Sequence, residues 1–210
     1  MYVATKICIQ SKYNRMRTFF FYSLLSLFFI AIAIDLQGQT YHTKSYKMTI
    51  SGTSSYHDWT SNVQNISLHG DFLFSNGTLE KIKNATALIL TKSIQSEQKS
   101  DLMDDRTHNT LKADQYPSIT YEYLSVKSVQ KESTQTNLVV NGTLTLAGTS
   151  KVTDLQMTLH TNENGEVVIT GSKKIKMSEY GIRPPVFMLG LLRVGDEVTI
   201  NYEVVLELKK

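Results

Sequence analysis

The chain has 210 residues, of which 41% are apolar and 20% charged, with three prolines and one cysteine. This composition excludes a disordered or collagen-like protein, and the length fits one domain, because domains most often have about 100–200 residues. There are 22 Lys and Arg against 19 Asp and Glu. Taken alone, that basic balance would favour nucleic acid or acidic lipid surfaces as partners.

The first 38 residues differ in kind from the rest. Basic residues up to Arg17 lead into an apolar run over 19–34, which is closed by Asp35 and the small residue Gly38. This order is typical of a secretory signal peptide, with Met16 as an alternative start. The run has 16 residues, fewer than the ~20 that cross a bilayer, so no permanent membrane anchor is expected. The sequence therefore predicts export, to the periplasm or the extracellular space, after cleavage of residues 1–38.

Removal of this segment changes the charge of the chain. It takes away four basic residues and one acidic residue, leaving 18 of each sign, and it also takes away Cys8. The mature domain, 39–210, is then neutral and has neither disulfide nor thiol chemistry. Nucleic acid is not expected as a partner, and the sequence leaves a homodimer open.

Alternation of apolar and polar residues with a period of two dominates the mature chain. The predicted strands, in chain order, are 46–53, 71–75, 85–91, 119–123, 138–146, 155–159, 167–177 and 198–208. Their number, about eight at regular spacing, favours an all-β antiparallel sandwich or barrel. Four dipeptides supply turn chemistry, of which the second lies inside a strand pattern and could instead mark a bulge: Asn76-Gly77, Asn141-Gly142, Ala147-Gly148 and Asn164-Gly165.

One segment departs from the alternation. Residues 100–111 begin with Ser100 and an acidic turn, and Leu102, Met103, Arg106 and Leu111 follow at near-helical spacing. A serine at this position caps a helix, and acidic residues favour its first turn. The sequence predicts one short helix between strands.

Four segments carry a family resemblance: GTSSYHDWT (52–60), LMDDRTHNTLKADQYPSITY (102–121), GTLTLAGTSK (142–151) and MSEYGIRPPVFMLGLLRVGDEV (177–198). Together they resemble the YceI-like family of exported bacterial proteins. The resemblance implies an extended, lipocalin-like antiparallel β-barrel that holds a polyisoprenoid or similar amphiphilic lipid in its lumen. It implies no shared catalytic residue and no cofactor other than the lipid.

A lumen of this kind needs inward aliphatic and aromatic side chains with few polar groups. The candidate ligand-binding residues are Trp59, Phe72, Phe74, Met103, Ile119, Tyr121, Met177, Arg183, Phe187 and Met188. A filled hydrophobic core explains the apolar candidates equally well. The unusual segment 180–192 is interpreted as a lid over the barrel mouth, with Arg183 meeting a polar head group, or as a loop that closes the barrel end.

Catalytic patterns are weak. The five histidines show no metal-ligand spacing, and no nucleophile elbow or phosphate-binding loop occurs. The neighbours His57 and Asp58 would point to opposite faces of a strand, which favours a structural role. The sequence thus predicts a non-catalytic lipid-binding protein. The alternative is a solid-core β-sandwich that serves as an adhesion or interaction module.

Overall fold

A computed structural model describes residues 39–75 and 78–209, which belong to one compact unit. The predicted signal peptide and the predicted Asn76-Gly77 turn lie outside these residues. The described part of the chain contains eleven strands and one α-helix, α1, at Asp101–Thr110. The strands are β1 Gln39–Ser54, β2 Trp59–Val63, β3 Ile66–Ser75, β4 Thr78–Leu90, β5 Ile94–Ser96, β6 Ser118–Lys131, β7 Thr136–Leu146, β8 Thr149–Thr161, β9 Val167–Lys176, β10 Val186–Phe187 and β11 Leu192–Leu208.

Eight of these strands close into an antiparallel barrel. The order around it is β1-β3-β4-β6-β7-β8-β9-β11, and β11 pairs back with β1 from Tyr41–Leu208 to Ser54–Val194. The short strands β2 and β5 extend the sheet from β1, while β10 forms a hairpin with β11. Closure removes the open edges that would otherwise attract other strands. The predicted all-β barrel of about eight strands with one short helix is confirmed.

The alternation in β11 shows how the sequence places its side chains. Val198, Val204 and Leu206 are buried, whereas the intervening Glu203 is exposed. Successive residues of a strand face opposite sides of the sheet, so one face of β11 points into the barrel. The other barrel strands place apolar side chains in the interior in the same way.

Two of the predicted turns join neighbouring barrel strands. Ala147 and Gly148, with φ of 47° and 81°, connect β7 to β8, and Gly165, with φ of 76°, lies between β8 and β9. These are the positive φ values that tight hairpin turns require. Asn141 and Gly142 instead remain within β7, and the irregularity lies in the partner strand β6, between Tyr123 and Ser125.

Helix α1 begins where the sequence predicts. Ser100 caps it by accepting a hydrogen bond from the backbone N–H of Met103 at 3.4 Å. Asp104, in the first turn, accepts from the backbone N–H of Ser96 at 2.6 Å and so fixes α1 against β5. His108 Nε2 lies 2.9 Å from the carbonyl oxygen of Ile94, which secures the other end of the helix to the same strand. Among the described residues, no helix is long and apolar enough to span a membrane.

One group of deeply buried side chains lies at one end of the barrel. Leu206, Val167 and Phe72 are almost fully buried there. The ring of Tyr41 meets those of Phe72 and Phe74 edge to face, with centroids 5.8 and 5.5 Å apart. Because these side chains fill the barrel between its strands, this end is closed.

Candidate ligand-binding site

The barrel encloses a cavity of about 270 Å³. This is near the lower end of the ~300–1,000 Å³ that is usual for small-molecule sites. All eight barrel strands contribute apolar side chains to its wall, among them Met48, Leu68, Ala87, Ile119, Val140, Met157, Ile169 and Val204. This volume is far above the ~10–15 Å³ that a single water needs, so the space takes a chain of several non-hydrogen atoms.

Helix α1 and the segment that leads into β11 cover the end of the cavity opposite the closed end. Met103 and Arg106 from α1, and Pro185 and Phe187 from this segment, line the cavity. The guanidinium carbon of Arg106 lies 4.0 Å from the centroid of the Phe187 ring, so a cation–π contact joins the two covers. Both side chains are only half-buried. We call this end the mouth.

Two tyrosines lie against the wall of the barrel because glycines on the neighbouring strands make room for them. Tyr202 is paired with Gly171, and a Cβ at Gly171 would collide with the Tyr202 hydroxyl and come within 2.7 Å of the Gln156 carbonyl oxygen. Tyr121 occupies the matching space over Gly142. With their rings held flat on the wall, these large residues line the cavity without filling it.

Three of the polar side chains in the lining, those of Tyr202, Tyr121 and Lys173, are engaged with the protein backbone. Tyr202 Oη donates to the Gln156 carbonyl at 3.3 Å, and Tyr121 Oη lies 3.4 Å from the carbonyl oxygens of Val140 and Thr153. Lys173 Nζ donates to the Asp154 carbonyl at 2.8 Å. A guest therefore meets few free donors or acceptors, and its recognition depends on shape and apolar contact.

The burial of these two tyrosines changes the pKa of their hydroxyls. Burial raises the pKa of Tyr202 to about 12, because the charged phenolate is poorly solvated in the wall. Burial also raises the pKa of Tyr121. Both hydroxyls therefore stay protonated at neutral pH and continue to donate to backbone carbonyls. In the described part of the chain, no three His, Cys, Asp or Glu side chains gather where a metal ion could be held.

The sequence pattern of the YceI-like domain matches residues 39–206. The chain belongs to the YceI-like family. This confirms the resemblance found in the sequence, and the match spans all eight strands of the barrel. No curated protein matches the chain significantly.

Solved structures share the fold of this YceI-like domain. A polyisoprenoid binding domain from Saccharophagus degradans, implicated in plant cell wall breakdown, superimposes with a TM-score of 0.61 at 14% identity, covering 81% of this chain and 99% of that one. BcnA of Burkholderia cenocepacia superimposes with a TM-score of 0.59 at 17% identity, covering 76% of this chain and 95% of that one. The Campylobacter jejuni YCEI protein superimposes with a TM-score of 0.54 at 22% identity, covering 71% of this chain and 84% of that one. At these identities the likeness concerns the fold alone.

Seven of the ten predicted site residues line the cavity of this YceI-like domain: Trp59, Phe72, Met103, Ile119, Tyr121, Met177 and Phe187. The other three lie outside the lining. Phe74 packs on Tyr41 at the closed end and borders a separate hollow of about 230 Å³. Arg183 and Met188 are exposed near the mouth. Contact of any of the ten with a guest stays a prediction.

Sequence reasoning missed three notable lining residues, Arg106, Lys173 and Tyr202. Tyr202 is in phase with Val198 and Val204 in β11, so the alternation already assigned it to the inner face. Arg106 follows Met103 by three residues, which puts both on one face of α1. Lys173 carried no comparable signal, because a charged residue in a strand is usually assigned to the wet face.

Proposed function

We propose that this YceI-like domain binds one chain of an apolar amphiphile, of the polyisoprenoid type, in the barrel lumen and carries it without catalysing a reaction. The observation that supports this most is the cavity itself, with apolar side chains from every barrel strand in its wall and the polar ends of Tyr202, Tyr121 and Lys173 bonded to the backbone. The name of the Saccharophagus degradans neighbour, a polyisoprenoid binding domain, agrees with this guest.

The size of the lumen sets the expected length of the bound chain. Each methylene transferred from water to the lumen contributes about 0.8 kcal/mol. Affinity should therefore rise with chain length until the lumen is full, and further units, which extend through the mouth into water, should add little.

The protein carries its own reporter for this test. Trp59 is the only tryptophan of the chain, and it lines the cavity. We would titrate the protein with geraniol, farnesol, geranylgeraniol and solanesol in dilute detergent and follow tryptophan fluorescence. The dissociation constant should fall steeply with chain length along this series and then level off once the lumen is full. Equal affinity for all four alcohols, or no saturable change, would contradict the proposal.

A matched variant shows whether the fluorescence change comes from the lumen. Trp59→Phe removes the signal, and competition with a fluorescent fatty acid then measures binding independently of Trp59. The alcohols should displace the fatty acid in the same order of chain length.

We further propose that residues 1–38 direct export and are removed, leaving the domain in the periplasm or outside the cell. The basic and apolar order of this segment supports the proposal. N-terminal sequencing of the protein from the periplasmic and culture fractions should give a start near residue 39. Recovery of the intact N-terminus from the cytoplasm would overturn it.

The alternative of a solid-core sandwich does not agree with a closed barrel that contains a cavity.

A further inference from the structure

The hairpin between β10 and β11 presents an apolar tip to solvent. Its strands pair Val186 with Arg193 and Phe187 with Leu192, and the residues between them form the tip. Within the tip, Met188 is 70% exposed, Leu191 81%, and Leu189 fully exposed. A contiguous exposed apolar group of this kind marks a surface that meets a membrane or a partner protein.

The backbone of the tip holds these side chains outward at a cost. Met188 and Leu189 adopt φ values of 52° and 54°, and Gly190 follows with 97°. Residues with a side chain avoid this left-handed region, and such strain persists mainly where it serves function. The neighbouring loop anchors the hairpin, because Ser55 N donates to the Arg193 carbonyl at 2.9 Å and Ser55 Oγ donates to that of Leu191 at 3.2 Å.

All three arginines of the sequence beyond residue 17 lie at this end of the barrel. Arg106 stacks on Phe187, Arg183 precedes the hairpin, and Arg193 lies within it, where its Nε donates to the Gly190 carbonyl oxygen at 3.2 Å. Among the described residues no arginine makes an ion pair, whereas five lysines do. Guanidinium groups bind phosphate through two parallel hydrogen bonds, which makes arginine suited to phospholipid head groups.

The apolar tip is continuous with the cavity. Phe187 is next to the tip in the chain and lines the cavity, with Arg106 stacked on its ring. On the neighbouring loop, Tyr56 is 81% exposed beside the anchoring Ser55. Tyrosine is enriched where apolar and aqueous phases meet, because its ring is apolar and its hydroxyl polar.

We propose that the hairpin tip docks on a phospholipid bilayer, with Met188, Leu189 and Leu191 inserted at the interface and the arginines on the lipid phosphates, so that the mouth faces the membrane. A bilayer fits better than a protein partner for two reasons. Three arginines without an ion pair lie beside an apolar tip, as on surfaces that insert among charged head groups, and the tip adjoins a lumen lined for an apolar chain. The proposal goes beyond binding in the lumen and does not require a guest.

Vesicle co-sedimentation tests this docking. The mature protein would be mixed with vesicles of phosphatidylcholine, or of phosphatidylcholine mixed equally with phosphatidylglycerol, neither of which contains a polyisoprenoid. We expect the protein to sediment with both and more strongly with the second. L189S/L191S should weaken binding to both at least tenfold, and Arg183→Gln should reduce mainly the preference for phosphatidylglycerol. No binding of the unaltered protein to either vesicle would overturn the proposal.

The matched control removes exposed apolar side chains elsewhere on the barrel. Leu124 in β6 and Val152 in β8 are 55% and 63% exposed. L124S/V152S should sediment like the unaltered protein, and an equal loss in both double variants would contradict docking by the tip. Circular dichroism and the Trp59 titration show that both double variants are folded and still competent in the lumen, so the two proposals fail separately. Sedimentation velocity tests whether the tip instead contacts a second copy of the chain. A dimer that dissociates in L189S/L191S, in a protein that binds no vesicles, would assign the tip to that contact.

Discussion

Filling the lumen from one wall should weaken guest binding in steps. Ala87 lies in β4, lines the cavity and has one carbon in its side chain. Ala87→Leu adds three carbon atoms to the lumen, and Ala87→Phe adds six. Because the guest and the new side chain share one cavity of about 270 Å³, each added carbon displaces about one atom of the guest.

The size of the effect follows from this displacement. At about 0.8 kcal/mol for each displaced methylene, Ala87→Leu should cost about 2.4 kcal/mol and Ala87→Phe about 5 kcal/mol of binding free energy. These values correspond to roughly 60-fold and roughly 3,000-fold weaker binding. The free energy of unfolding without guest should not fall, since the added atoms enter empty space.

The assay is the Trp59 titration with geranylgeraniol, together with urea unfolding of each variant. Thr86→Phe is the matched control, because Thr86 precedes Ala87 in β4 and is exposed on the outer face. It should bind like the unaltered protein. If the lumen were filled in solution, Ala87→Phe would instead lower the unfolding free energy by about 1–3 kcal/mol through overpacking and leave binding unchanged. That result would refute the reasoning.

Three further predictions concern the wall and the mouth of the barrel. Gly171→Ala should lower the unfolding free energy by about 1–3 kcal/mol in urea denaturation, because the new Cβ meets the Tyr202 hydroxyl and a backbone carbonyl. Gly165→Ala is the comparison, since nothing lies near Gly165. It should cost about 1–2 kcal/mol, all of it from the positive φ of 76° at this position. Hydrogen bonds from the Ser178 hydroxyl and backbone N–H hold the pKa of Asp196 below its ordinary 3.8, so this carboxylate stabilises the fold above that pH and the contribution is lost as the pH falls through the lowered pKa. Asp196→Asn should therefore be less stable than the unaltered protein at neutral pH, and the difference should shrink on acid titration. Since burial raises the pKa of Tyr202 from 10.0 to about 12, the unfolding free energy should fall across that alkaline interval, and less so in Tyr202→Phe.

The secondary structure was accessible from the sequence because it depends on local patterns. Period-two alternation located the barrel strands, and Ser100 located the start of α1. The closure of the sheet was not accessible from the alternation, since a sandwich and a barrel share it. Closure depends on the pairing of β1 with β11, whose residues are about 150 positions apart in the chain. Only the family resemblance favoured the barrel over the sandwich, because no local signal distinguishes the two.

The site was accessible only in part, because the position of a residue along the barrel axis depends on register. Phe72 and Phe74 share one phase of β3, yet Phe72 borders the cavity while Phe74 packs outside it, and the register of β3 with β4 shifts between them. Likewise, Tyr202 lies over Gly171 only because the register of β11 with its neighbour β9 places the two residues opposite each other. Which side chains fill the barrel and which border a cavity is therefore a property of the assembled sheet.

The most direct test of an apolar guest is to analyse what the protein carries. The protein, purified without detergent from the cells that produce it, would be extracted with organic solvent and the extract analysed by mass spectrometry beside that of Ala87→Phe. The account predicts about one apolar chain for each protein molecule and a strongly reduced amount in the variant. An extract without lipid from the unaltered protein, together with a crystal structure in which side chains fill the lumen, would contradict it.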